Sequence, residues 1–83
     1  LVLLSAGLFA SIQHGARQAR EQLRSELAYA ASSGDLSRVD TLLKRGASPR
    51  GLDEHGVTPF YHAVARGHLE VARLLLQKGA DPN

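Results

Sequence analysis

Residues 33 positions apart match along most of this 83-residue chain. A chain that repeats itself at such an interval builds a linear stack of like units, each touching only its neighbours. Ala63 follows Ala30, Gly67 follows Gly34 and Leu69 follows Leu36 at this spacing. Leu75-Leu76 answer Leu42-Leu43, Gly79-Ala80 answer Gly46-Ala47, and Pro82 answers Pro49.

Each copy spells out a helical hairpin. Thr58 caps a helix with its hydroxyl, and Pro59 at the first helical position loses no hydrogen bond by lacking an N–H. Phe60, Ala63 and Val64 fall on one face of a short helix of about two turns. Gly67 ends it, because the residue past a helix C-terminus often takes the left-handed conformation that glycine adopts freely. Leu69, Ala72, Leu75 and Leu76 recur at helical spacing, so a second helix returns antiparallel with an apolar stripe, and Gly79 stops it. Ala80-Asp81-Pro82-Asn83 is turn chemistry. Upstream, Leu27, Ala30 and Ala31 make the first helix face, Gly34 stops it, and Asp35 caps the next helix. Leu36, Val39, Leu42 and Leu43 form that helix's stripe, Gly46 closes it, and Ser48-Pro49-Arg50-Gly51 leads to the following turn. Leucine stripes of this kind are core, while Ala30 and Ala63 are small enough to let two hairpins approach closely.

The run Asp53-Glu54-His55-Gly56-Val57-Thr58-Pro59-Phe60-Tyr61-His62-Ala63, with Gly67-His68-Leu69-Glu70-Val71 and Gly79-Ala80-Asp81-Pro82-Asn83 after it, resembles one full ankyrin repeat. Residues 23–52 resemble a degenerate, N-capping copy. The resemblance implies an all-α fold: an ankyrin-repeat helix-turn-helix stack of two repeats, preceded by an N-terminal apolar helix. It implies a protein–protein interaction module that binds through hairpin tips and the exposed ends of first helices, which line a concave face. Carried onto this sequence, the partner-binding residues are Leu52, Glu54, His55 and Val57 at the tip and Ala65 and Arg66 on the helix. Ser32 and Ser33 stand at the equivalent helix end of the first copy. The chain departs from the family pattern at three places. Tyr61 stands where the family has a histidine that ties neighbouring turns together, with His62 one step later, so the phenol is expected to replace that tie in part. Ser25-Glu26-Leu27-Ala28 stands where Thr-Pro-Leu-His is usual, and Arg50 replaces a turn asparagine.

Residues 1–16 are a different material: no charge precedes Arg17. A helix of that length spans roughly 24 Å, a little short of the hydrocarbon core of a bilayer. Three readings stand: a membrane anchor cut short at its start, the apolar region of an export signal, or an ordinary helix packed on the first repeat. Small residues at the signal-cleavage spacing occur at Ser5 and Gly7, too early in the apolar run, and His14 spoils the next chance. Arg17, Arg20 and Arg24 follow closely, and cytoplasmic flanks carry the excess of Lys and Arg. The expectation is therefore a membrane-anchored chain with its repeats facing the cytoplasm, the rival being an exported or periplasmic fragment in which the repeats are only scaffold. Residues 17–22 read as a helical connector, because Ala16, Ala19, Leu23, Leu27 and Ala30 recur three or four apart and no proline intervenes. One helix should run through to about Ser32-Ser33-Gly34, with Glu21 pairing with Arg24 or Arg17.

Without cysteine, neither a disulfide nor a cysteine-ligated zinc is available, so packing must supply stability. The net charge of +2 comes from basic residues interspersed with Glu26, Asp35 and Asp40, without aromatic interleaving, so nucleic acid is not expected. His14, His55, His62 and His68 are scattered, with His68 at a helix start as a cap. No spacing suits a metal, and neither serine-nucleophile nor phosphate-loop motifs occur. The expectation is no enzyme, no cofactor and no metal. About three repeats are usual for a stable array. The start at Leu1 and the stop at Asn83 therefore suggest a fragment, with further ankyrin repeats after Asn83 covering the apolar faces of residues 59–78.

Overall fold

A computed structural model describes residues 2–81, with side chains at 15 and at 17–81. Leu1, Pro82 and Asn83, and the side chains of 1–14 and 16, lie outside the described residues, and with them the end of the second turn and the apolar character expected of residues 1–16. Four helices follow one another: α1 (Val2–Ser33), α2 (Leu36–Lys44), α3 (Pro59–Ala65) and α4 (Leu69–Gln77), with no strand among the described residues. Among the described residues, no helix is long and apolar enough to cross a membrane.

The helix starts follow the side-chain chemistry that marks them. Asp35 Oδ1 accepts the amide of Arg38 at 3.1 Å, and Thr58 Oγ1 accepts the amide of Tyr61 at 3.1 Å ahead of Pro59. His68 sits at the corresponding position before α4, yet its ring does not cap that helix. The imidazole turns back to the first hairpin instead. Its Nε2 lies 3.0 Å from the carbonyl oxygen of Ser32, which can only accept, so Nε2 carries the proton. The cap expected of His68 is thus replaced by a bond between hairpins. Gly34 makes room for it: a Cβ there would come within 2.6 Å of the His68 ring, and its φ of +76° is left-handed.

The two hairpins lean on each other through α1 and α3, and α1 also packs on α2 and α3 on α4. Leu27, Ala30 and Ala31 of α1, Val39 and Leu42 of α2, Ala63 of α3, and Val71, Ala72 and Leu75 of α4 form one core, closed at its ends by Ala47 and Ala80. Ala30 and Ala63 are both wholly buried, which is the close approach their size permits. At the opposite end from His68, Arg50 Nε donates to the carbonyl oxygen of Gly79 at 2.7 Å. The arginine that stands in place of the turn asparagine therefore adds a second tie between the hairpins.

Two expectations need correction. In α4 the buried stripe is Val71, Ala72 and Leu75, while Leu69 is 65% exposed and Leu76 42%. Leu69 begins the helix outside the core, whereas Val71, two residues on, is buried within it. Leu36, the matching residue of α2, is likewise exposed. Glu21 makes no ion pair with Arg17 or Arg24 among the described residues; its neighbour Gln22 donates to Glu26 at 3.2 Å instead. An exposed pair of long side chains gains too little in water to hold one geometry.

Matching positions of the two hairpins differ in burial. Ala31 is wholly buried, and its counterpart Val64 is 47% exposed. Leu43 is packed against the core, and its counterpart Leu76 is open. The first hairpin has the second stacked on that side; nothing among the described residues covers the same side of the second.

Candidate functional site

The loop between α2 and α3 ends in a tight tip built on Asp53. Its Oδ1 accepts the amides of His55 and Val57, both at 2.9 Å, and its own amide donates to the Val57 carbonyl at 2.9 Å. Gly56, with φ of +74°, closes the turn by donating to the Asp53 carbonyl at 3.0 Å. Asp53 Oδ2 is then held by His62 of α3, whose Nε2 donates at 2.8 Å. One carboxylate thus fixes the tip both to itself and to the neighbouring helix. The His62 hydrogen bond, followed by those of the Val57 and His55 amides, holds the Asp53 carboxyl down to about 2 from an ordinary 3.8, partial burial working the other way.

The fixed tip faces α1 across a cleft of about 270 Å³. Ser25, Ala28, Tyr29 and Ser32 form the α1 wall, and Asp53, Glu54 and His62 form the other. The α1 spacing of three and four residues places those four on one stripe beside the core stripe of Leu27, Ala30 and Ala31. Ala28, at 9% exposure, is the floor, while Tyr29 is 71% exposed. The positions matching that stripe are Thr58, the cap of α3, and Tyr61, His62 and Ala65 within it, so the same face continues along the second hairpin. Both tyrosines of the chain lie on this face, and both are exposed.

The residues expected at the binding face occupy several places. Glu54 lines the cleft with its side chain 86% exposed, and His55 is exposed beside it, Nε2 lying 3.6 Å from Glu54 Oε1. Leu52 is 51% exposed on the approach to the tip. Val57 is half-buried, and its backbone holds the turn. Ala65 ends α3, and Arg66 follows as its cap; both are exposed, and neither lines the cleft. Ser32 lines the cleft, whereas Ser33 is exposed outside it.

Tyr29, Ser25 and His62 join the site without having been singled out for it. The signal available was the stripe three and four residues apart through Ser25 and Ser32. Tyr61 is exposed, and the tie expected of its phenol falls to other residues: His62 binds the tip of its own hairpin, and His68 and Arg50 bridge the two hairpins. Histidines and carboxylates do not converge in threes anywhere among the described residues, so no metal-binding group is assembled there.

A larger recess of about 460 Å³ lies between α2 and α4. Asp40, Glu70 and Arg73 give it both signs of charge, and Asp40 is already paired with Lys44 at 2.9 Å. It lacks the aromatic and the rigid loop that the smaller cleft offers.

Comparison with known proteins bears on this geometry. A family model described as "Ankyrin repeats (3 copies)" matches residues 5–83. The chain is 40% identical over 62 residues to the "Ankyrin repeat and LEM domain-containing protein 1 homolog" of Caenorhabditis elegans, covering 71% of this chain and 9% of that protein. It is 42% identical over 60 residues to a "2-5A-dependent ribonuclease" of Mus musculus, covering 71% and 8%. It is also 41% identical over 59 residues to the "ADP-ribosylation factor GTPase-activating protein AGD2" of Arabidopsis thaliana, again 71% and 8%. The chain thus spans under a tenth of the length of these relatives.

Proposed function

The chain belongs to the ankyrin-repeat family, whose repeats are protein–protein interaction modules, and on that footing we propose that it captures a protein partner on the face shared by the loop tip and the first helices. The observation that carries this reading is the cleft between α1 and the Asp53 tip: an exposed carboxylate on a rigid loop, facing a stripe of α1 that carries an exposed tyrosine. Tyrosine contributes a large contact area at low entropic cost, which is why such residues anchor protein interfaces. Glu54 and His55 project from the tip, Leu52 leads into it, and Ala65 and Arg66 extend the face to the end of α3. The module itself is non-catalytic in this proposal. Two of its matched relatives carry unlike activities in their names, a ribonuclease and a GTPase-activating protein, although each matches the same share, 71%, of this chain.

Two further parts belong to the same proposal. A third helical hairpin covers Val64 and Leu76, because the matching Ala31 and Leu43 of the first hairpin are covered by the second. The apolar run at residues 1–16 attaches the chain to a membrane, with the repeats on the cytoplasmic side, as the arginines that follow it support. Carbonate extraction of the full-length product tests the attachment: release into the soluble fraction removes it. The binding face is tested with Glu54→Ala, His55→Ala and Arg66→Ala combined. Retention of a captured partner falls while the melting temperature holds; equal retention rejects the face.

A further inference from the structure

We propose that the cleft between α1 and the Asp53 tip receives an arginine side chain of the partner, the guanidinium lying between the ring of Tyr29 and the carboxylate of Glu54. This deepens the protein-binding reading and rests on it. Four observations point to the same chemistry. The chain carries ten Lys and Arg and a net charge of +2, yet no Lys or Arg lines this cleft. Of its two carboxylates, Asp53 is fully engaged: one oxygen holds two amides and the other holds His62. Glu54 is left with only His55 at 3.6 Å and a side chain that is 86% exposed, so the cleft has an unmatched negative charge at its rim. Tyr29 is 71% exposed on the opposite wall, so its ring is accessible to a cation.

Size decides what kind of group fits. At about 270 Å³ the cleft falls below the roughly 300–1,000 Å³ usual for sites that enclose a small-molecule ligand, and it suits one long side chain entering from outside. Arginine fits better than lysine. Its planar guanidinium stacks on an aromatic ring while its edge offers parallel N–H donors to a carboxylate, and it is weakly hydrated. Ser25 and Ser32 on the α1 wall supply hydroxyl oxygens as acceptors for remaining donors. The rigid Asp53 turn keeps the Glu54 backbone in place before binding, so little loop ordering is needed.

The test is an NMR titration of the chain with acetyl-Gly-Arg-Gly-amide, alongside its citrulline and lysine counterparts. The arginine peptide shifts the Tyr29 ring and the Ser32 and Glu54 amides saturably. The lysine peptide binds more weakly, and the isosteric but uncharged citrulline peptide leaves these signals in place. Tyr29→Leu and Glu54→Gln, both at exposed positions, each weaken arginine binding roughly two- to fivefold at unchanged melting temperature. Equal shifts with citrulline or lysine, indifference to Glu54→Gln, or shifts confined to the recess between α2 and α4 overturn the proposal. If the arginine peptide fails while the triple alanine variant still loses its partner, the arginine assignment falls and the binding face stands. If the peptide binds and partner retention is unaffected by the triple variant, which lacks the Glu54 carboxylate, the cleft accepts a guanidinium but not the partner's, and both this proposal and the wider face fall.

Discussion

His68 donates its Nε2–H to the carbonyl oxygen of Ser32 at 3.0 Å, joining the start of α4 to the end of α1 across 36 residues. The matching residue of the first hairpin, Asp35, uses its side chain to cap its own helix. Equivalent positions therefore do different work, because only the second hairpin has a neighbour on its N-terminal side within the described residues.

Gly34→Ala should disturb this tie directly. The added Cβ would lie 2.6 Å from His68 Nδ1, and the backbone φ of +76° is strained for any residue with a side chain. A loss of roughly 1–3 kcal/mol is expected from the conformation and the clash together. His68→Ala alone should cost about 1 kcal/mol, leaving the Ser32 carbonyl without its partner. In the double variant the clash disappears, so urea unfolding should show a combined loss smaller than the sum. Strict additivity would place the ring elsewhere.

Burial along α4 separates leucines that look alike in sequence. Leu75→Ala removes a wholly buried side chain and should cost roughly 2–5 kcal/mol. Leu69→Ala, at a residue 65% exposed, should stay within about 0.5 kcal/mol. Equal losses in denaturant melts would contradict the helix orientation.

Acid should loosen the tip through Asp53. Its folded carboxyl titrates at about 2 against 3.8 for an unperturbed aspartate, so the native state holds that proton less tightly than the unfolded chain. The resulting stabilisation is complete above the unfolded value and is lost as pH falls from 3.8 toward 2. Asp53→Asn should therefore be less stable than the parent at neutral pH, with the gap narrowing across that window. A gap independent of pH between 2 and 4, measured by thermal melts, would show that the carboxylate is not engaged in this way.

The seven-residue α3 should depend heavily on its cap. Thr58→Ala leaves the Tyr61 amide without the hydroxyl that accepts it at 3.1 Å and should cost about 1 kcal/mol. Thr58→Ser should recover most of that loss. Failure of serine to rescue, read from melting temperatures, would mean that the threonine methyl rather than the hydroxyl matters.

Much of the hairpin structure was legible because its signals are local. Thr58 before Pro59, Asp35 before Leu36, and Gly34, Gly67 and Gly79 after their helices act within a few residues, and the helix ends fall beside them. Ala30 and Ala63 were readable as close-approach positions because their small size leaves few alternatives. The leucines were harder. Leu69 and Leu75 share a helix and a composition, and spacing alone places Leu69 on the stripe, yet only the packing of α4 on α3 and α2 shows which side of each leucine is covered. The binding face was legible in part. Glu54 and Ser32 came from matched loop and helix-end positions, whereas Tyr29 entered only when the tip was seen facing its stripe of α1.

By itself, the order of residues determined that this chain forms capped helical hairpins at a 33-residue interval, since caps, turns and apolar periodicity are short-range properties of the backbone and its nearest side chains. Only the tertiary structure decided that His68 reaches Ser32 rather than its own helix, that Arg50 binds Gly79, and that Tyr29 and Glu54 share one cleft. Those pairings join residues far apart in sequence, and which partner a side chain meets depends on how one hairpin is set against the next.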